Sequence, residues 1–188
     1  TSGQEMKALV EAIVVPETWF FRDKKPFQLF RDYVKEQWLP TNKNSQNVLR
    51  ILSVPCSTGE EPYSLAMVLS DLGYPPSRCH IDAVDISTEA IARARRCIFR
   101  DHSFRGDEMD FRDRYFIKVN KDYKLDEKVC EMVNFYQGNL LDAGSFPVHG
   151  PYHMIFSRNL LIYFDRADQE RTISALHKLL ASDGVLFM

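Results

Sequence analysis

The sequence predicts an α/β fold in which one sheet carries helices on both faces and a small antiparallel β insertion interrupts the chain. Three observations lead there. Val48 to Gly73 reads as a buried strand, a tight acidic loop and a helix. The same strand-then-helix rhythm returns at His80 to Phe99 and again from His153 onward. Between them, Phe104 to Val133 loses the rhythm and shows short alternating stretches around Asn120-Lys121-Asp122, the pattern of antiparallel strands.

The first unit organises the rest. Val48, Leu49, Ile51, Leu52 and Val54 form an apolar run suited to a strand covered on each side. Leu65, Val68, Leu69 and Leu72 then recur at helical spacing, with Pro62 suited to the first turn and Gly73 to the left-handed position beyond the end. Cys56 to Glu61 is therefore expected at the carboxyl end of a strand, where open α/β sheets bind ligands. That loop has one glycine, Gly59, followed by Glu60 and Glu61, which is neither a dinucleotide fingerprint nor a P-loop. Two carboxylates repel a phosphate at close range, so the ligand should be neutral or cationic at this end. One glutamate, read as Glu61, could instead serve the helix dipole, leaving Glu60 for the ligand.

Ser57 to Ser64, Ser-Thr-Gly-Glu-Glu-Pro-Tyr-Ser, resembles the signature loop of the CheR family, glutamate O-methyltransferases of chemotaxis receptors that use S-adenosylmethionine. The resemblance runs from Thr18 to Met188 and implies a Rossmann-like class I methyltransferase sheet. It also hints at the surface-sensing Wsp branch.

The remaining elements follow in order. Met6 to Val15 is a short apolar helix or connector, expected to end a preceding helical domain. Phe27, Phe30, Val34 and Trp38 keep helical spacing between Pro26 and a stop at Pro40. Thr18-Trp19-Phe20-Phe21-Arg22 resembles the family's Thr-x-Phe-Phe-Arg, whose Thr and Arg contact the cofactor; the Arg22 fork suits a carboxylate. The match departs at Pro16, where many relatives have a polar contact residue. Asp85, at the tip of the strand His80 to Ile86, is placed either to hold ribose hydroxyls or to charge the next helix N-terminus, which Ser87 can cap. In the helix Thr88 to Phe99, Ile91, Ala94 and Ile98 point inward. Arg93, Arg95, Arg96 and Arg100, with Arg105, form a basic face that either meets an acidic receptor helix or is merely solvated.

Arg114 to Val119 and Lys128 to Phe135 are expected to supply the insertion, a subdomain at about 112–136, where relatives carry three strands. Some relatives use it to pair with a receptor's tethering peptide and have a glycine-rich loop there. Ile117 to Met132 contains no glycine, so no pentapeptide tether is expected. After the strand Val133 to Gln137, Asn139-Leu140 corresponds to the pair that abuts the adenine. Ser157 to Phe164 resembles the family's Cys-Arg-Asn-Val-x-Ile-Tyr-Phe, with Ser157 in place of cysteine. The resemblance carries Arg158 and Tyr163 over to the methyl-transfer site and Asn159 to the cofactor; Tyr163 could equally be a core aromatic. Asp165 caps a final helix with Ile173, Leu176 and Leu180 facing in and Gly184 beyond it.

Composition narrows the class. A chain of 188 residues, 45% hydrophobic, with nine prolines and eight glycines, fits one globular domain at 16–188 after a connector at 1–15. The net charge of -2 speaks against nucleic acid. No apolar run nears the roughly 18 residues of a membrane span, and no signal peptide opens the chain, so a cytoplasmic location is expected. Cys56, Cys79, Cys97 and Cys130 form no C-x-x-C pair, so neither a metal site nor a disulfide framework is expected. Thr1-Ser2-Gly3 and the stop inside a strand at Met188 suggest a piece of a longer protein, with the sheet's C-terminal edge cut short. The implied activity is methyl transfer from S-adenosylmethionine, giving S-adenosylhomocysteine, to receptor glutamates. A binding module that no longer transfers methyl, and an enzyme with another acceptor, are the alternatives.

Overall fold

The structure, a computed structural model, describes residues 3–14, 17–42, 45–106, 109–142, 144 and 146–188. Its centre is a five-stranded sheet in the order β6-β2-β1-β7-β8, every neighbouring pair parallel. The strands are β1 (Leu49–Ser53), β2 (Cys79–Asp85), β6 (Val133–Gln137), β7 (Tyr152–Phe156) and β8 (Leu180–Phe187). A second sheet, β3-β5-β4, is antiparallel, from β3 (Ile98–Phe99), β4 (Phe116–Val119) and β5 (Asp122–Leu125).

Alternation in the central strands feeds two cores. Ile51, Ile81, Ala83, Met154 and Phe156 pack with α2 (Lys25–Tyr33), α4 (Glu60–Asp71) and α5 (Thr88–Ala94) on one face. Leu52, Val84 and Ile155 pack with Leu176 of α8 (Arg166–Leu179) on the other. The remaining helices are α1 (Gly3–Ile13), α3 (Leu39–Asn42), α6 (Asp110–Tyr115) and α7 (Glu127–Cys130). Phe20, Phe99, Phe104, Phe111 and Phe116 form one aromatic cluster that ties the small sheet to the large one, with Phe20 touching each of the other four at ring-centre distances of 4.8 to 5.9 Å.

Five local expectations change. Pro40 does not stop the helix: a π turn at Val34–Trp38 links α2 to α3, and this i→i+5 turn absorbs the bond that Pro40 cannot donate. The helix after Ser87 ends at Ala94, because Cys97 takes a left-handed φ of 54° and Ile98 turns outward, half exposed, to pair with Lys124. The third strand of the small sheet is thus β3; Lys128 to Phe135 supplies α7 and the start of β6 instead. Ile173 lies on the outer side of α8, 41% exposed, and Leu180 begins β8, while Leu176 is fully buried as expected. Finally, Cys97 and Cys130 are joined by a disulfide whose Cα atoms are 6.5 Å apart, a pairing invisible in spacing because it depends on how α7 docks on α4, close to the turn after α5.

Candidate active site

A cavity of about 370 Å³ opens at the carboxyl ends of β1, β2, β6 and β7, within the usual range of small-molecule sites. The segment before α2 forms one wall. Phe20 and Phe21 are anchors: Phe20 N donates to Ser103 O (2.9 Å) and Phe21 N to Ser64 Oγ (3.0 Å). With those two rings turned to the core, Trp19 and Arg22 face the cavity, along with Thr18. The Arg22 guanidinium lies over Trp19, 4.5 Å from the ring centre, and Arg105 covers the same ring at 4.8 Å. Its Nη1 donates to Glu17 O (2.8 Å), whereas Nε is buried with no hydrogen-bond partner among the described residues.

The loop after β1 supplies the floor. Gly59, at φ 99°, adopts backbone that strains any L side chain, and a Cβ there would stand tightly at 3.0 Å from Ala94 Cβ and 3.1 Å from the Tyr63 ring. The two glutamates that follow part company. Glu61, not Glu60, borders the cavity. Glu60 is 1% exposed and closed off, accepting from Thr58 Oγ1 (2.6 Å) and Ser103 Oγ (2.8 Å). Glu61 accepts from Ser53 Oγ (2.8 Å) and from Arg158 Nη1 (3.2 Å). Burial pushes both carboxyls above their ordinary range, opposed at Glu60 by hydroxyl donors and at Glu61 by the Arg158 charge. The assignment of Glu60 to the ligand therefore moves to Glu61: adjacent helical positions point about 100° apart, and Ser103 claims the first.

Asp85 stands at the tip of β2, 4% exposed and bordering the cavity. Its Oδ2 accepts from Ser57 N (2.7 Å) and its Oδ1 from Ser87 N (2.9 Å), leaving a further lone pair on each oxygen. Burial raises its pKa, the two amides oppose this, and the nearby Glu11 charge adds to it. Glu11 arrives from α1 and caps α5, accepting from Ser87 Oγ (2.5 Å), Thr88 Oγ1 (3.0 Å) and Glu89 N (3.2 Å). Nothing in the sequence of α1 alone marks it as a cap. Cys56 lies on the floor as an inert thiol, its pKa raised by burial and then by the Asp85 charge.

Asn139 and Leu140 form the side wall after β6, where Asn139 Oδ1 accepts from Leu141 N (3.0 Å). Gly138 before them is required by close approach, since a Cβ would lie 2.5 Å from Pro147 Cδ. Asn159, at φ 58°, and Tyr163, 70% exposed, stand at the opening, so Tyr163 is no core aromatic. Arg158 borders the cavity but its guanidinium is committed, with Nη2 to Asp23 Oδ2 (2.6 Å) and Arg22 O (3.0 Å) besides Glu61. Eight expected residues thus meet at one cavity: Thr18, Arg22, Asp85, Asn139, Leu140, Arg158, Asn159 and Tyr163. Pro16 lies outside the described residues. Trp19, Asp23, Ser57 and Glu11 were not anticipated; Arg158, inside an otherwise apolar motif, was the one signal that an acid must be near.

The site combines an apolar side wall at Leu140, a buried carboxylate, and an arginine whose Nε has no hydrogen-bond partner among the described residues. Three of five buried polar atoms without partners among the described residues, Arg22 Nε, Ser57 Oγ and Ser157 Oγ, belong to the segments around it. S-adenosylmethionine fits this donor set: an arginine for its carboxylate, an acid for its ribose, and no basic cluster to prefer a phosphate.

Comparison with known proteins agrees. The pattern of the family described as "CheR methyltransferase, SAM binding domain" matches residues 16–188. A Pseudomonas aeruginosa protein named "Probable biofilm formation methyltransferase WspC" is 47% identical over 187 residues, covering 100% of this chain and 44% of that protein. The "Chemotaxis protein methyltransferase" of Escherichia coli is 34% identical over 188 residues, covering 97% of this chain and 63% of that protein. The chain thus spans about half the length of these relatives. Among solved structures, the DszA carbon methyltransferase superposes with a TM-score of 0.52 at 16% identity, over 85% of this chain and 34% of that one, a likeness of fold.

Proposed function

This chain belongs to the CheR methyltransferase family, and from that premise we propose that it binds S-adenosylmethionine in the described cavity and methylates glutamate side chains of a chemoreceptor's cytoplasmic helices. The observation that carries the reading is that Asp85 and Arg22, whose Nε has no hydrogen-bond partner among the described residues, border one cavity with no lysine among its described lining residues. S-adenosylmethionine supplies a methyl group on a cationic sulfonium. The acceptor glutamate is already ionised near neutral pH, so no strong general base is required.

What the chain contributes is alignment and exclusion of water. Arg22 holds the cofactor's carboxylate and Thr18 its neighbour. Asp85 accepts from the ribose hydroxyls. Asn139 and Leu140 flank the adenine, and Asn159 closes the near edge. Tyr163, exposed at the opening, steers the incoming carboxylate. Arg158, buried and bonded on three sides, is read as holding this wall rather than gripping the acceptor. Residues 16–188 are read as the methyl-transfer domain of a longer cytoplasmic enzyme. Among the described residues no helix is long and apolar enough to cross a membrane.

The test is transfer of labelled methyl from S-adenosylmethionine to a receptor cytoplasmic fragment. Release of the label as methanol by mild base is expected, as a glutamyl ester requires. Label that resists base points to another acceptor, and no label at all to a module that only binds. The same assay on receptor fragments with and without a C-terminal pentapeptide should give equal rates, since the β4–β5 turn at Asn120 lacks the glycine-rich loop of tethered relatives.

A further inference from the structure

The turn that delivers Arg22 to the cavity is built from residues that resist its shape. Phe21, Asp23 and Lys24 have φ of 54°, 61° and 23°. Left-handed backbone is uncommon outside glycine; aspartate tolerates it, but phenylalanine and lysine do so poorly. Something outside the turn must hold it. From the far side of the cavity, Arg158 Nη2 reaches Asp23 Oδ2 at 2.6 Å and Arg22 O at 3.0 Å, while Nη1 reaches Glu61 Oε2 at 3.2 Å. The Arg158 side chain is 6% exposed and Glu61 12%, so water competes little for their bond, whereas Asp23 is 61% exposed and meets Arg158 with its outer side in solvent. A planar fork can bridge two segments in this way; a single ammonium cannot hold the same three partners in plane.

The consequence falls on Arg22. Its guanidinium is stacked on Trp19 and tied to Glu17 O, and its Nε is left buried without a partner beside the cavity. Where that Nε points is set by the backbone of the turn, which Asp23 and Arg158 clamp. We propose that Asp23 is a positioning residue for the amino-acid end of the cofactor, acting through Arg158 and the 21–24 turn to hold Arg22 in place. The proposal rests on the cofactor assignment above. Asp23 is not among the residues that border the cavity. Its carboxylate stands 4.0 Å from Arg22 Nε, a weak contact, and 2.6 Å from Arg158.

Positioning differs from simple support in which part of the ligand it affects. Calorimetry on the full-length protein with two compounds separates them: S-adenosylhomocysteine, which carries the amino-acid carboxylate, and methylthioadenosine, which lacks it. Asp23→Asn is the informative variant, because asparagine accepts left-handed backbone as readily as aspartate and only the charge is lost. It should weaken S-adenosylhomocysteine about tenfold, the scale of a charge-assisted contact, and methylthioadenosine less than about twofold. Arg158→Lys should give the same selective loss. Equal losses for both compounds, or no loss for either, overturn the proposal. If the unaltered protein binds neither compound, the cofactor assignment falls first and this inference with it. Binding of both with unselective variants removes Asp23 alone.

Discussion

Strand β2 carries two buried aspartates, three positions apart, and they meet opposite surroundings. Asp82 is 2% exposed and closed in: Tyr152 donates its hydroxyl to Oδ2 at 2.6 Å, and His80 Nε2 stands 2.9 Å from Oδ1 as an ion contact rather than an aligned hydrogen bond. Around it, Arg50 covers the Tyr152 ring and donates to His149 O and Pro151 O. Asp85, 4% exposed at the tip, is held by backbone amides, chiefly those of Ser57 and Ser87, and opens onto a cavity. Burial of a carboxylate is thus no sign of function by itself. What distinguishes the carboxyl end of the sheet is an acid that borders a cavity, beside an arginine nitrogen and a serine hydroxyl that have no hydrogen-bond partner among the described residues.

That contrast can be broken from either side. The largest effect is expected at the closed end: Tyr152→Phe takes the 2.6 Å hydroxyl donor from buried Asp82 and leaves it to the Tyr136 hydroxyl and His80, which should cost about 1–3 kcal/mol of stability. Affinity for S-adenosylhomocysteine should stay within about twofold, because Tyr152 begins β7, at the opposite end of the strand from the cavity, and does not border it. Denaturant unfolding and calorimetry on one variant check both halves. Next comes the open end, where Asp85→Ala should weaken the same ligand at least about tenfold, or roughly 1.4 kcal/mol. Unchanged affinity would remove Asp85 from the site, and a matching affinity loss in Tyr152→Phe would erase the distinction between the two ends.

How much of this was legible in the sequence follows the range of each signal. The helix stripe Leu65, Val68 and Leu69 and the run Leu49, Ile51, Leu52 and Val54 are local signals and are buried where expected, while Leu72 at the helix end is only partly buried and Val48, just before β1, is 40% exposed. Ile98 and Ile173 fit the same helical period yet face outward, since periodicity does not reveal where a helix stops or which side another element leaves uncovered. Motif reading gathered the cavity's wall residues because each motif sits at a strand tip or in the segment that crosses it. It failed at Glu60 and Glu61. Their roles are decided by Ser103 and Arg158, which lie 43 and 97 positions away, and no local pattern encodes which oxygen meets which donor. The Cys97 to Cys130 bridge was missed for the same reason.

The smallest expected effect concerns a charge that the open end has and the closed end lacks. Glu11 reaches from α1 to cap α5, and its donors, led by the Ser87 hydroxyl, outweigh burial and hold its pKa below the ordinary 4.5. A lowered acid contributes stability that is present above its free-chain value and is lost as pH falls through the lowered one. Docking of α1 should therefore be full at neutral pH and fade below about pH 4.5, with the ion's share small because the site is mostly solvated. Hydrogen exchange of the α1 amides reads this directly. Glu11→Gln should lower α1 protection a few-fold at neutral pH and flatten its pH profile, since an amide cannot gain or lose the charge. Because Glu11 also raises the Asp85 pKa, the same variant should let Asp85 ionise at lower pH, moving the acid limb of S-adenosylhomocysteine binding downward. If α1 loosens while that limb stays put, the two carboxylates are not coupled, and the open end owes its character to Asp85 alone.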